Sequence, residues 1–128
     1  MAGASQPIEI LASGPLCGVL AAPPSKSVTN RLLVIAALAS GTSEIIGPLQ
    51  SDDTEAMSRG LEALGAGITP LAGGWSVAGT AGRPRPPEAG RVIDAGLSGT
   101  TLRFLASVSM LARGTVVIDG APPLRRRP

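Results

Sequence analysis

The chain has 128 residues and a formal net charge of +2, and 44% of its residues are hydrophobic, which is enough for one modest core. Its lone Cys17 and its lack of histidine exclude an internal disulfide and a Cys/His metal cluster, so we expect a cytoplasmic chain without a metal. The chain has few aromatic residues, and outside Arg125–Arg127 it has eight basic against nine acidic side chains, which argues against a nucleic-acid partner. Its longest apolar run, Leu32–Ala39, is too short to span a membrane.

The first third of the chain contains two strand candidates, a helix and a third strand. Short apolar runs predict strands at Ile8–Leu11 and Gly18–Ala21, separated by a Ser-Gly-Pro turn. A helix should then run from about Ser25 to Ser40, and Gly41 is a natural stop. Its predicted buried stripe, at helical spacing, consists of Val28, Leu32, Ile35 and Ala39. Thr42–Ile46 is the next strand candidate.

The middle third continues the alternation of helices and strands. Ser51 or Asp52 can cap a second helix that ends before Gly65, and its predicted buried residues are Met57, Leu61 and Leu64. Ala66–Leu71 and Trp75–Ala78 predict two strands of a hairpin. The order so far is β-α-β-α-β-β, in a mixed α/β (α+β) chain. Gly79–Ala89 is rich in glycine, proline and arginine, and we expect a surface connection there.

From about residue 90 the same pattern begins again. Strands are predicted at Arg91–Asp94 and Thr115–Ile118, on either side of a helix at Ser98–Ala112. We therefore expect N-terminal strands in 1–20, one complete β-α-β-α-β-β unit in 21–79, a connection in 80–89, and an incomplete second unit in 90–128. The unfinished repeat favours truncation of a longer protein. It should leave an apolar face uncovered on the last helix, formed by Leu105, Val108 and Leu111.

A dense polar run marks the start of the first predicted helix. Residues 23–31 read Pro-Pro-Ser-Lys-Ser-Val-Thr-Asn-Arg and contain the only lysine of the chain. A helix N-terminus presents free N–H groups and the positive end of the helix dipole, so it attracts anions. Hydroxyl donors, an ammonium and a guanidinium make this run suited to phosphate and carboxylate groups. The alternative is an ordinary N-cap followed by a polar turn.

A second helix start of the same kind follows at residues 98–103, Ser-Gly-Thr-Thr-Leu-Arg. Gly99 has no side chain, so a ligand can approach the backbone closely there; the alternative is a glycine needed for a turn with positive φ. Two such helix starts in one small chain predict two walls of one anionic pocket.

These motifs resemble a known family. Residues 24–31, Ser51-Asp52-Asp53-Thr54, residues 98–103 and residues 124–128 are similar, in order and spacing, to the N-terminal part of 5-enolpyruvylshikimate-3-phosphate (EPSP) synthases. The Ser-Lys-Ser-x-Thr-Asn-Arg string separates this family from the enolpyruvyl transferase of peptidoglycan synthesis. Two positions depart from the family pattern: Leu97 stands where Asn is typical, and Phe104 where Pro or Leu is common.

The resemblance implies a fold and an activity. The family has two lobes of repeated β-α-β-α-β-β units, with residues before about Ala21 in the far lobe. It acts as a 3-phosphoshikimate 1-carboxyvinyltransferase in the shikimate pathway: the enolpyruvyl group of phosphoenolpyruvate goes to the 5-hydroxyl of shikimate 3-phosphate, and phosphate leaves. Glyphosate inhibits it, and it uses no metal or organic cofactor. Members are several times longer than this chain, so the isolated chain is expected to be inactive.

The resemblance also implies roles for individual residues. Ser27 and Arg31 would bind shikimate 3-phosphate. Phosphoenolpyruvate would be bound by Lys26, Gly99, Thr100 and Arg127, with support from Arg103. Lys26 and Asp52 would be the catalytic residues on this chain, Asp52 by organising the site near the hinge between the lobes. The carboxylate and the lysine that handle protons would lie in the missing part.

Two other functions stay open from the sequence. One is a non-catalytic anion-binding module. The other is a half-enzyme that works only with the missing C-terminal part as a separate partner chain. Whether the reading frame continues past Pro128 separates the fragment from both alternatives.

Overall fold

The computed structural model of the chain describes Ile8, Glu9, Leu11, Gly14, Pro15 and residues 17–127, and its architecture is mixed α/β. Three main helices pack together, with the second in contact with the other two. They are α1 (Lys26–Leu38), α2 (Asp52–Ala63) and α3 (Gly99–Ser109). The three helices predicted from the sequence are thereby confirmed, although the structure ends α1 and α3 earlier.

The strands form two small sheets. An antiparallel sheet in the order β1-β3-β2 contains β1 (Thr42–Ile46), β2 (Gly67–Leu71) and β3 (Gly74–Ala78). In its register both Thr42 and Gly67 lie opposite Ala78. A parallel pair joins β4 (Val92–Asp94) to β5 (Val117–Asp119), and the short helix α4 (Pro122–Arg125) follows. The sequence analysis did not predict α4. The division of the chain into units 21–79 and 90–128 stays a prediction.

One apolar core lies between the helices and the three-stranded sheet. Met57, Leu61 and Leu64 are at most 1% exposed, which confirms the predicted buried stripe of α2. They pack in one cluster with Leu33 of α1 and Val77 of β3. Because the side chains of α2 are shared between α1, α3 and the sheet, this helix fixes how the other elements meet.

The segment that follows β3 closes the C-terminal ends of two helices. The N–H groups of Thr80 and Gly82 donate to carbonyls of α1, and the N–H of Arg85 donates to Leu64 O. These carbonyls are the groups that a helix leaves without an internal partner. No helix crosses Gly79–Ala89, as predicted.

The predicted strand at Gly18–Ala21 is wrong. These residues carry no regular structure, and the side chains of Val19 and Leu20 are almost fully exposed. A strand needs a neighbour for its N–H and C=O groups, and the described residues place none beside this segment. The predicted strand at Ile8–Leu11 lies partly outside the described residues, and its described residues Ile8, Glu9 and Leu11 are not in a strand.

The predicted buried stripe of α1 is also wrong. Val28, Leu32 and Ile35 are 54%, 43% and 65% exposed, and the buried face instead contains Thr29, Asn30, Leu33, Ala36 and Ala37. The reason is that α1 is apolar on most of its surface, so the 3.6-residue period does not select one face. The sheet and α2 select the face with the smaller side chains.

Of the apolar face predicted to be exposed on the last helix, only Leu111 is exposed, and it lies just after the end of α3. Leu105 and Val108 are 0% and 4% exposed, whereas Leu111 is 52% exposed. A close approach between α2 and α3 covers Leu105, because a Cβ added to Gly60 of α2 would overlap its side chain. The buried face of α3 is therefore covered by α1, α2 and β5.

Candidate anion-binding site

The N-terminal turns of α1, α2 and α3 border one open cavity of about 720 Å³. All five residues predicted to bind or support phosphoenolpyruvate line it. The lining consists of Lys26, Asp53, Leu97, Ser98, Gly99, Thr100, Leu102, Arg103, Leu124 and Arg127. The lining residues include three cationic side chains, Lys26, Arg103 and Arg127, and one carboxylate, Asp53. Helix N-termini and excess positive charge together make the cavity suited to an anion.

The start of α3 is fixed by two buried hydroxyls. Ser98 is the N-cap, and its Oγ accepts a hydrogen bond from Thr101 N at 3.2 Å. The hydroxyl of Thr101 lies 2.8 Å from Ser98 Oγ and 3.1 Å from Asp53 O on α2. The N–H groups of Gly99 and Thr100 have no acceptor among residues 17–127 and the other described residues. These two groups border the cavity and can donate to a bound anion.

Lys26 of α1 is held by an acidic residue of α2. Its Nζ lies 2.6 Å from Asp53 Oδ2, and the lysine side chain is about half exposed. Asp53 therefore sets the position of the ammonium group at the edge of the cavity. Asp53 was not predicted as a site residue, whereas Asp52 was. Both lie in the first turn of α2, about 100° apart around the helix, so only one of them can face α1.

Gly99 and Arg127 both line the cavity and lie close to each other. A Cβ built on Gly99 would lie 3.5 Å from Arg127 Nη1 and 3.8 Å from Leu124 Cδ1. Gly99 does not have a positive φ, so the turn itself does not require glycine. The missing side chain leaves open the space between the N–H groups of α3 and the guanidinium of Arg127.

The residues predicted to bind shikimate 3-phosphate lie outside this cavity. Arg31 donates from Nη1 to Ser27 O at 2.9 Å, and its Cζ lies 6.0 Å from the centre of the Phe104 ring. Phe104 is one of the two residues that depart from the family pattern, and its contact with Arg31 has cation–π geometry. Ser27 and Arg31 thus form a second polar group, on the outer face of α1, between Lys26 and Phe104.

Asp52 does not line the cavity that Lys26 and Asp53 line. It borders a smaller depression of about 280 Å³, next to Asp53, Arg59 and Gly96. In the capping of α2, Ser51 is the N-cap and its reciprocal partner is Thr54, not Glu55. Asp52 is therefore free of a capping role, and its proposed organising role stays a prediction.

Two further properties of the described residues bear on the site. Over residues 17–127 and the other described positions, no three acidic, cysteine or histidine side chains come together as a metal site would require. None of the described helices is long and apolar enough to cross a membrane.

Comparisons with known proteins give the family. The family model described as EPSP synthase (3-phosphoshikimate 1-carboxyvinyltransferase) matches residues 10–128. The chain belongs to the EPSP synthase family. Residues 24–31, 51–54 and 98–103, which carried the resemblance, lie inside this match.

Individual relatives agree with the family match. The chain is 49% identical over 117 residues to the 3-phosphoshikimate 1-carboxyvinyltransferase of Methanosphaerula palustris, and the alignment covers 90% of the chain and 27% of that protein. It is 46% identical over 122 residues to the enzyme of the same name from Methanoculleus marisnigri, covering 94% of the chain and 28% of that protein. The solved EPSP synthase of Acinetobacter baumannii superposes with a TM-score of 0.76 at 27% identity, covering 87% of the chain and 25% of that structure. The chain thus spans about a quarter of the length of these EPSP synthases.

Proposed function

We propose that this chain forms the N-terminal part of a site that transfers the enolpyruvyl group of phosphoenolpyruvate to the 5-hydroxyl of shikimate 3-phosphate, with release of phosphate. The observation that supports this best is one cavity lined by Lys26, Gly99, Thr100, Arg103 and Arg127. These residues come from the starts of two helices and from the segment after α4, far apart in sequence. Such an arrangement is suited to an anion that needs several donors at once.

In this proposal phosphoenolpyruvate lies between the start of α3 and Arg127. The free N–H groups of Gly99 and Thr100 donate to its anionic oxygens, and Lys26 and Arg127 supply countercharge. Since phosphate carries more negative charge when it leaves, cations fixed in advance stabilise its departure. Asp53 holds Lys26 in place, and Asp52 helps to organise the site. Glyphosate, another small anion, competes for the same place.

Shikimate 3-phosphate lies on the neighbouring side, against Ser27 and Arg31. The Ser27 hydroxyl and the Arg31 guanidinium are both exposed, and the contact with Phe104 leaves the remaining guanidinium donors available. Because Lys26 precedes Ser27 directly, the start of α1 brings the two substrates next to each other. The groups that handle protons belong to the rest of the enzyme, and the site is cytoplasmic.

The test is phosphate release by this chain fused to the remaining three quarters of the Methanosphaerula palustris relative. We expect phosphate release only when both substrates are present, and a loss of at least tenfold in kcat/KM for Lys26→Met, about the contribution of one charge-assisted contact. Arg59→Met is the matched control, because Arg59 is exposed and its ion-pair partner among the described residues is Glu55 on its own helix. An active Lys26→Met variant would contradict the proposed role of Lys26.

The alternatives give different results in the same assay. A non-catalytic anion-binding module would bind phosphoenolpyruvate but leave the fusion inactive. A half-enzyme would release phosphate when the 128-residue chain is mixed with the separate remaining part of the relative. The cavity supports anion binding in all three cases, so turnover with both substrates is the deciding observation.

A further inference from the structure

Arg127 stands out in the cavity because little holds it directly. Its N–H donates to Leu124 O at 3.1 Å, and no carboxylate among the described residues pairs with its guanidinium. It follows a helix of only four residues. A long side chain on such a segment has many conformations, and fixing it on a ligand costs affinity. The position of Arg127 therefore depends on how α4 is attached.

An ion pair ties α4 to the end of β5. Arg125 binds the carboxylate of Asp119 with two donors: Nε lies 2.8 Å from Oδ1, and Nη2 donates to Oδ2. Asp119 Oδ1 also accepts from Gly120 N at 2.7 Å. Planar two-donor pairs fix direction as well as distance. The hydrogen bonds from Arg125 and Gly120 also lower the pKa of the Asp119 carboxyl, so it stays charged.

The turn between Asp119 and α4 is closely packed. A Cβ on Gly120 would lie 2.5 Å from Leu124 Cδ2 and 2.9 Å from Gly96 O, so only glycine fits there. The N–H of Ala121 donates to Gly96 O at 2.8 Å. Leu124 is 5% exposed and its side chain borders the cavity beside Gly99. The turn thus fixes α4 against the loop that leads into α3.

We propose that Asp119 and Arg125 are positioning residues for Arg127, and that their ion pair holds α4 so that the Arg127 guanidinium faces the start of α3. Neither Asp119 nor Arg125 lines the cavity, so neither contacts the bound anion directly, and their geometric effect on it is carried by Arg127. The proposal rests on the proposed function, which supplies phosphoenolpyruvate as the anion. Of the two arginines that precede Arg127, Arg125 holds α4 in place, and Arg126 has no assigned role.

The sign of the expected effect separates positioning from simple charge. Asp119→Asn removes a negative charge near an anion site, so long-range electrostatics alone would strengthen anion binding. Loss of the ion pair should weaken it. The asparagine keeps an oxygen that can accept from Gly120 N, so the turn is preserved. Arg125→Gln removes a positive charge, and Arg126→Gln is its matched control because it removes the same charge one residue away.

The experiment measures the affinity of the 128-residue chain for phosphoenolpyruvate and for shikimate 3-phosphate by titration calorimetry. We expect Asp119→Asn and Arg125→Gln each to weaken phosphoenolpyruvate binding about 2- to 5-fold, the range for an exposed ion pair, since both side chains are largely exposed. The affinity for shikimate 3-phosphate should change less than twofold in these variants. In Arg126→Gln the affinities for both ligands should change less than twofold. When Arg127→Gln is already present, Asp119→Asn should have no further effect.

A second measurement tests the positioning without a ligand, so it can be used if a variant loses stability or if the parent chain binds phosphoenolpyruvate weakly. The mobility of the Arg127 side chain is read from 15N relaxation of its Nε in the ligand-free chain, with Arg103 as reference. Asp119→Asn and the milder Arg125→Lys should both increase the mobility of Arg127 but not that of Arg103. If the parent chain binds no phosphoenolpyruvate, the affinities are measured in the fusion with the rest of the relative, whose phosphate release tests the proposed function, and the relaxation measurement on the 128-residue chain still decides the positioning.

Three results would overturn the inference. The first is unchanged or tighter phosphoenolpyruvate binding by Asp119→Asn. The second is an equal loss when Arg127→Gln is present, which would mean that the pair acts by another route. The third is unchanged mobility of Arg127 in both variants.

Discussion

Gly99→Ala should maintain or raise the stability of the chain and lower its affinity for phosphoenolpyruvate. Gly99 is the first residue of α3 and has no positive φ, so alanine fits its backbone. The added Cβ would meet only Arg127 Nη1 at 3.5 Å and Leu124 Cδ1 at 3.8 Å, which are ordinary van der Waals distances. Glycine-to-alanine changes at compatible positions stabilise by about 0.4–1 kcal/mol. We therefore expect a melting temperature that is unchanged or higher.

The same methyl group occupies the space that the anion needs. An oxygen bound by both the Gly99 N–H and Arg127 must lie about 2.9 Å from each nitrogen. With Cβ at 3.5 Å from Arg127 Nη1, the methyl group takes up space beside that nitrogen, and we expect it to crowd an oxygen bound there. Losing one charge-assisted hydrogen bond costs about 1.5–3 kcal/mol, which is about 10- to 150-fold in affinity. The affinity for glyphosate should fall by a similar factor, and the affinity for shikimate 3-phosphate should be nearly unchanged.

Thermal melting and titration calorimetry on the same variant test this reasoning. Gly96→Ala is the matched control, because Gly96 has a positive φ and open space around its Cβ position. It should lower the melting temperature and leave the affinity ratio of the two ligands constant. A lower melting temperature for Gly99→Ala, with equal weakening of both ligands, would refute the role assigned to the missing side chain.

Three further predictions follow from other parts of the chain. Arg31→Ala should weaken shikimate 3-phosphate by about 10- to 150-fold in calorimetry, the loss of one charge-assisted hydrogen bond, and unchanged affinity would reject its role. Leu105→Ala should destabilise by about 2–5 kcal/mol in denaturant unfolding because Leu105 is fully buried, whereas Leu111→Ala should cost about 0.5 kcal/mol or less; similar values would contradict the packing of α3. Folding lowers the pKa of Asp119, so the stability from its pair with Arg125 is complete above the ordinary aspartate pKa and is lost as the pH falls through the lowered value. Asp119→Asn should therefore reduce the pH dependence of the free energy of unfolding in acid. An unchanged pH dependence would argue against the pair.

The sequence predicted elements well where pattern and punctuation agreed. Thr42–Ile46 lies between Gly41 and Gly47, and its predicted bounds match β1. The buried face of α1 could not be predicted because two stripes of apolar residues compete, one with Leu32 and one with Leu33. Contacts with α2 and the sheet, which sequence periodicity does not contain, decide between them.

The site shows the same division. Lys26, Gly99 and Arg103 could be predicted because helix starts with hydroxyl, glycine and basic residues have a chemistry of their own. The choice between Asp52 and Asp53 depends on the angle between α1 and α2, and the pair of Asp119 with Arg125 depends on a turn outside any long element. Such contacts need the tertiary arrangement.

The most direct test of the account is a titration of the 15N-labelled chain with phosphoenolpyruvate, followed by NMR. The account predicts the largest shifts at the backbone amides of Gly99 and Thr100 and at Arg127 Nε, where the free N–H groups border the cavity. A second arginine-rich groove, with Arg83 and Arg113, lies at the C-terminal ends of the helices, where the dipole disfavours anions. Shifts concentrated in that groove, with none at Gly99 and Thr100, would contradict the account.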